Sequence, residues 1–278
     1  MKIIGKYYLH NQQLKAAEDL EGLPELTAVY EVLRLIDGVP LFVDEHLLRL
    51  QQSATLMQRQ LETTLESLKS GLHHLAGKNE INEGNIRITV TFPKENQESG
   101  RQELYAFFFP HHYPAPAEYV NGYGLKSLHH EGPKPNVKVV NASLTQQAEA
   151  LKKATGADEV LLINQQGLVT EGSKSNIFFV INDELRTAPL DLVLGGITRQ
   201  KVLELCTENN IRYIEKAIHI GALGQVQAAF ITGTSPRVMP VCRIDNHALS
   251  VKHSVVQKVM ELYNQLIAKV IGKPVSRP

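Results

Sequence analysis

The stretch Glu171-Gly172-Ser173-Lys174-Ser175-Asn176-Ile177-Phe178-Phe179 constrains this chain more than any other. It sets one carboxylate just ahead of a compact polar turn, and the turn runs straight into an apolar run of the kind found in buried strands. Strands are therefore expected at 176–181 and, on similar grounds, at 159–163, each ended by an Asn-containing turn. A helix carrying Leu144, Ala148 and Leu151 should precede them, and another should follow Thr198 with Val202, Leu205 and Cys206 inward. A short buried strand at 228–232 and a closing helix marked by Val255, Val259, Leu262 and Leu266 complete this half.

The first half reads differently. Residues 27–35 alternate with period two, which puts Tyr30, Val32 and Arg34 on one face of a strand. After the turn Asp37-Gly38-Val39-Pro40 a short strand at 41–43 leads to Asp44, a helix cap, and then to Leu47, Leu50, Ala54 and Met57 at helical spacing. Residues 85–92 alternate again, with Ile86, Ile88, Val90 and Phe92 opposite Arg87, Thr89 and Thr91, and residues 101–109 should pair with them. Residues 93–100 form an exposed loop by composition. Prolines break regular structure twice within 111–118, so the chain is divided into 1–115 and 116–278. The fold class expected is mixed α/β in two domains.

Bulk properties narrow the function. With 29 basic and 29 acidic side chains the net charge gives no reason to expect nucleic acid or an anionic membrane as partner. Cys206 and Cys242 match neither a metal-ligand spacing nor a disulfide framework, and both are expected to be apolar filler in a reducing, cytoplasmic setting. The amino terminus offers no signal-peptide core, and no run reaches the roughly 18–20 apolar residues that cross a bilayer. The partner expected is a small molecule.

Three further segments join Glu171 in carrying chemistry. Lys138 lies in extended sequence between valines in Asn136-Val137-Lys138-Val139-Val140-Asn141. Leu194-Gly195-Gly196-Ile197-Thr198-Arg199 runs into a helix, where free backbone amides and a close-lying glycine backbone suit a phosphate. Ile231-Thr232-Gly233-Thr234-Ser235 is a second turn rich in amides and hydroxyls. Taken singly, each has an ordinary reading: a surface lysine, a turn glutamate, a glycine turn.

Lysine, carboxylate and two phosphate-sized turns, in that order, resemble the fold type IV family of pyridoxal-phosphate enzymes, with its branched-chain and D-amino-acid aminotransferases and aminodeoxychorismate lyase. The resemblance runs from about Ala28 to Asp245 and includes the Tyr30-Glu31-Val32 and His46-x-x-Arg49-Leu50 patterns. It implies a small N-terminal α/β domain, a larger barrel-like C-terminal one, and pyridoxal 5'-phosphate as cofactor. By that likeness Lys138 is the catalytic lysine that holds the cofactor and shuttles a proton, and Glu171 faces the pyridine nitrogen. Leu194 packs on the ring; Gly196, Ile197, Thr198, Thr234 and Ser235 cup the phosphate, which Arg49 caps.

The same likeness implies substrate contacts from Tyr30, Val32, Phe92, Gly233, Thr234 and Ser235, and a homodimer whose shared surface could include 107–109 and Tyr113. The arginine with which D-amino-acid enzymes trap a carboxylate after the Val-Thr strand is missing: the strand ends Val90-Thr91-Phe92-Pro93, and Arg101 lies in the loop. Val32 lacks the hydroxyl that a lyase uses for proton relay. The expectation is an aminotransferase moving an amino group between an apolar, branched-chain-like amino acid and a 2-oxo acid. A lyase, a D-amino-acid aminotransferase and an inactive cofactor-binding homologue stay open as alternatives.

Overall fold

A computed structural model describes residues 2–22, 28–93, 101–131, 136–139 and 141–273. The chain divides into two compact units: Met1–His112 with Val137–Val140 and Lys269–Pro274, and Tyr113–Asn136 with Asn141–Ala268 and Val275–Pro278. The expected cut fell at residues 115 and 116. The structure adds a finding that a single cut cannot express, because the segment carrying Lys138 is counted with the first unit.

The first unit contains β1 (Ile4–His10), β2 (Gln13–Ala16), β3 (Ala28–Ile36), β4 (Val39–Pro40), α1 (Val43–Leu56), α2 (Leu65–Asn79), β5 (Gly84–Thr91) and β6 (Glu103–Phe109). Its strands form one antiparallel sheet in the order β2-β1-β6-β5-β3-β4. Period-two alternation turns Val29, Leu33 and Leu35 of β3, with Ile86, Ile88 and Val90 of β5, into a core shared with Leu47, Leu50, Leu68 and Leu72 of the two helices. Tyr30, Val32 and Arg34 occupy the opposite face, as their spacing predicts.

Two local expectations change. No strand covers 41–43: α1 starts at Val43, its N-cap is Phe42 in the left-handed region at φ 52°, and Asp44 lies in the first turn paired with Lys69. A carboxylate there complements the helix dipole without capping it. Phe92 is the second correction: it is 2% exposed and belongs to the helix-side core, so its ring is committed to packing and does not line a substrate pocket. Phe107 and Phe108 are likewise buried within this unit and offer no free surface for a partner.

The second unit contains α3 (Pro116–Asn121), β7 (Tyr123–His129), α4 (Ala142–Thr155), β8 (Glu159–Ile163), β9 (Val169–Gly172), β10 (Asn176–Ile181), β11 (Glu184–Thr187), α5 (Ile197–Glu208), β12 (Tyr213–Glu215), β13 (Ala228–Gly233), β14 (Arg237–Ile244), β15 (His247–Ala248) and α6 (Ser254–Val270). Among the described residues its sheet runs β12-β11-β10-β13-β14-β7-β8-β9, with β15 on β14. The pairs β11–β12, β14–β7 and β7–β8 are parallel and the others antiparallel. All of β8 and β10 is buried, which accounts for the apolar runs that follow Glu159 and Asn176 at their starts. Asn141 caps α4, its Oδ1 accepting from the Leu144 amide at 2.9 Å, and Gly156 ends that helix at φ 68°.

Cys206 is buried, and burial pushes its thiol up to about 12. Cys242 is half-buried, its Sγ donating to the Gly122 carbonyl at 3.5 Å. No helix among the described residues is long and apolar enough to cross a membrane.

Candidate active site

In the first unit the amino-terminal half of β3 has an open edge, since β4 pairs only with its far end. Residues 137–139 fill that edge: Val139 bridges Val29, the Tyr30 amide donates to the Lys138 carbonyl at 3.1 Å, and the Lys138 amide donates to Ser53 Oγ at 3.4 Å. Val137 and Val139 pack on the helix-side core, so alternation directs Lys138 away from it. The Lys138 Nζ lies 4.9 Å from the centroid of the Tyr30 ring. The valines flanking this lysine, legible in the sequence, are what fix its direction.

On the other face of β3, Glu31 is fully buried and closes a charge cluster with α1. Arg49 donates to it through Nε and Nη2, each at 2.7 Å, and His46 Nδ1 lies 2.8 Å from its Oε2. An ionised carboxylate only accepts, so Nδ1 carries the proton. Burial pushes the Glu31 carboxyl up, but the Arg49 charge and the hydrogen bonds from Arg49 and His46 more than reverse this and hold it at about 2. Burial also lowers His46, and the Arg49 and Lys138 charges add to that lowering against the opposing pull of Glu31. Arg49 is therefore no surface arginine: it is 8% exposed, with its direction fixed by Glu31. Sequence reasoning assigned Glu31 and His46 no role, although a glutamate in an apolar alternation is itself a signal that a cation must meet it.

In the second unit the carboxylate of Glu171 is held by two donors. Its Oε2 accepts from Asn176 Nδ2 and from the Leu194 amide, each at 3.1 Å, while Asn176 Nδ2 also donates to the Leu194 carbonyl at 2.9 Å. Glycine is required at 196 by space, since a Cβ there would stand 2.0 Å from Asn176 Oδ1. The motif residue Asn176 is thus the link between carboxylate and glycine turn. The polar turn behind Glu171 is anchored by buried Glu159, which accepts from Ser173 Oγ at 2.6 Å, Ser175 Oγ at 3.1 Å and the Lys174 amide at 3.3 Å. Lys174 itself points outward and pairs with Glu149 at 2.8 Å.

The start of α5 has Gly196 as its N-cap and no side-chain cap, leaving the first-turn amides of Ile197 and Thr198 without a capping oxygen. Thr198 is buried, and Tyr263 of α6 donates to its Oγ1 at 3.4 Å; burial raises the Tyr263 phenol to about 12. Thr232 faces the same side of the sheet as Asn176, its register partner, and its buried Oγ1 has no hydrogen-bond partner among the described residues. The Thr234-Ser235-Pro236 turn closes the β13–β14 hairpin, in which Gly233 pairs with Arg237. Ser235 is buried, while Gly233, Thr234 and Leu194 are half-buried. An uncapped helix start, an orphaned hydroxyl, a glycine cradle and a fixed carboxylate are a donor set that fits a phosphorylated, protonated heterocycle.

Comparison with known proteins agrees with this chemistry. The family model described as amino-transferase class IV matches residues 28–244. The chain is 32% identical to a D-alanine aminotransferase of Bacillus licheniformis over 86% of this chain and 87% of that protein. A branched-chain-amino-acid aminotransferase of Pseudomonas aeruginosa is 31% identical over 49% of this chain and 44% of its own length. Among solved structures, a branched-chain aminotransferase from Thermoproteus uzoniensis with norvaline superposes with a TM-score of 0.84 at 24% identity, covering 97% of this chain and 96% of that one.

Proposed function

The chain belongs to the class IV aminotransferase family, and from that premise we propose that it moves an amino group between an apolar amino acid and a 2-oxo acid with pyridoxal 5'-phosphate as cofactor. The observation that carries the reading is the Glu171–Asn176–Leu194 cradle ahead of the uncapped α5. When bound, the cofactor supplies the electron sink that makes the substrate α-proton labile.

The chain's own groups do the rest. Lys138 holds the cofactor covalently and then carries the proton to and from the substrate α-carbon. Glu171, oriented by Asn176 and the Leu194 amide, would retain the proton on the pyridine nitrogen. The amides of Ile197 and Thr198 bind the phosphate, with the hydroxyls of Thr198, Thr234 and Ser235 completing its shell. Arg49, aimed by Glu31, adds a fixed positive charge to it. Leu194 packs on the ring, and Tyr30, Val32 and the Gly233-Thr234-Ser235 turn meet the substrate. A homodimer is part of the proposal and is supported by the family likeness, and a cytoplasmic setting is supported by the two free cysteines.

Borohydride reduction of the purified protein followed by peptide mapping should place the pyridoxyl group on Lys138; label on a different lysine would overturn the assignment. Leucine, isoleucine, valine or phenylalanine, offered as both enantiomers, should bleach the violet absorbance of the bound cofactor, and 2-oxoglutarate should restore it. Pyruvate release from aminodeoxychorismate with no such half-reaction would replace the aminotransferase reading by lyase chemistry. Sedimentation of the holoprotein decides the dimer.

A further inference from the structure

We infer that Arg237 is a further phosphate-binding residue of this chain, a guanidinium supplied by the same unit that carries the Thr198 and Ser235 turns. The inference rests on the cofactor assigned in the aminotransferase reading above. Arg237 opens β14, two residues beyond Ser235 and directly across the hairpin from Gly233. The hairpin is pinned from α3, where the Tyr119 hydroxyl donates to the Pro236 carbonyl at 3.1 Å. Arg237 is thereby held next to the hydroxyl-rich turn.

Three observations point to a ligand. The backbone of Arg237 is left-handed at φ 56°, and among the described residues no other arginine or lysine adopts a positive φ. Glycine would relax that backbone, so the side chain is kept against a conformational cost. The guanidinium is half-buried, yet no side-chain hydrogen bond or ion pair engages it among the described residues. Arg199 of α5 shows the contrast, being committed to Glu215 at 2.6 Å and to the Ala188 carbonyl at 2.9 Å. The third observation is location. Tyr263 is buried and donates to Thr198 Oγ1 in the uncapped first turn of α5. Burial raises its phenol, and the hydrogen bond to Thr198 and then the charges of Arg237 and Lys201 oppose that rise. Lys201 pairs with Glu204 at 3.0 Å, which leaves Arg237 as the uncommitted cation of the two. An open guanidinium bordering free amides and hydroxyls suits a phosphate monoester, whose oxygens it can bridge.

The test compares the full-length wild type with Arg237→Gln, Arg237→Gly and Arg237→Lys by equilibrium dialysis against pyridoxal 5'-phosphate and against pyridoxal. The wild type should strongly prefer the phosphate ester. Loss of one charge-assisted contact should weaken binding of the ester about 10-fold in Arg237→Gln and Arg237→Gly, while pyridoxal binding stays put. Arg237→Lys should recover part of the loss, because it restores charge without the fork. The phosphorus resonance of the bound cofactor should shift in Arg237→Gln, a readout independent of turnover. Arg237→Gly separates binding from folding, since its thermal midpoint should hold or rise as the backbone relaxes. A fall in that midpoint with equal loss of both ligands would assign Arg237 to the fold and overturn the inference. A preference for the ester within about threefold of wild type in Arg237→Gln and Arg237→Gly would also overturn it and leave the aminotransferase reading standing. A preference that depends on Arg237 in a protein that exchanges no amino group would uphold the inference and overturn that reading.

Discussion

Glu31 and Arg87 sit on opposite faces of the same two paired strands, and they are treated in opposite ways. On the helix side the charge of Glu31 is closed by Arg49 and His46 within 2.8 Å, with no exposed area left. On the other side Arg87 keeps its terminal nitrogens uncommitted among the described residues and spends only Nε. Both are ions held by a β-sheet. The difference teaches that one sheet can close a fully buried charge within the protein and still leave a half-buried one with donors to spare. The second unit repeats the contrast, with Glu159 fully engaged in anchoring a turn while the Thr232 hydroxyl remains orphaned.

The sharpest way to break the comparison is to remove one charge from each face. Glu31→Gln strands the Arg49 guanidinium in the core and should cost about 3–5 kcal/mol of stability. Arg87→Met strands no charge and removes only the donor to the Thr89 hydroxyl, so it should cost about 1–2 kcal/mol. Denaturant unfolding of the two variants reads both numbers, and equal losses would remove the distinction between closed and open charges.

A smaller effect is expected in the second unit. Gly196→Ala places a methyl group 2.0 Å from Asn176 Oδ1, so Asn176 must swing away and release both Glu171 and the Leu194 carbonyl. Overpacking of this kind should cost about 1–3 kcal/mol, and cofactor affinity should fall with it. Equilibrium dialysis with pyridoxal phosphate checks the second part; unchanged affinity would show that the cradle does not act through Asn176.

The mildest probe is pH. His46 is held below its ordinary 6.5 and Glu31 at about 2 against an ordinary 4.5, so in acid the unfolded chain binds more protons than the folded one. The stability these groups contribute is present in full above pH 6.5. It should decline as pH falls below 6.5 through the His46 transition, and further from about 4.5 toward 2 through Glu31. His46→Gln should flatten the upper part of that decline in thermal unfolding curves.

Much of this was legible along the chain because it depends on period and local chemistry. Alternation in β3 and β5 assigned faces correctly, the buried runs of β8 and β10 were read at their observed bounds, and the helices α4, α5 and α6 followed from their apolar spacing. The order of lysine, carboxylate and glycine turns was enough to suggest the family. Other elements, short and long, were not read: β1, β2, β9, β11, β12 and β14 went unassigned, and α2 lies in a stretch whose Thr64 cap, accepting from the Ser67 amide at 3.2 Å, is plain only in hindsight. Phe92 misled because one strand position beyond an alternation looks equally apolar whether it faces a pocket or a core.

What the sequence determined by itself, then, was which residues can do the chemistry and which face of each element they share, since both follow from side-chain type and a fixed period. Tertiary structure alone decided which of those residues are already satisfied. Arg49 and Arg87 carry the same guanidinium and both come from patterned segments. Only the folding of α1 onto β3 brings Glu31 and His46 to the first, and only the pairing of β3, β5 and β6 surrounds the second with Tyr30, Val32 and Phe107 and with no carboxylate among the described residues. Hydrogen-bond and charge partners lie far apart in sequence, and no local pattern encodes whether a partner will be there.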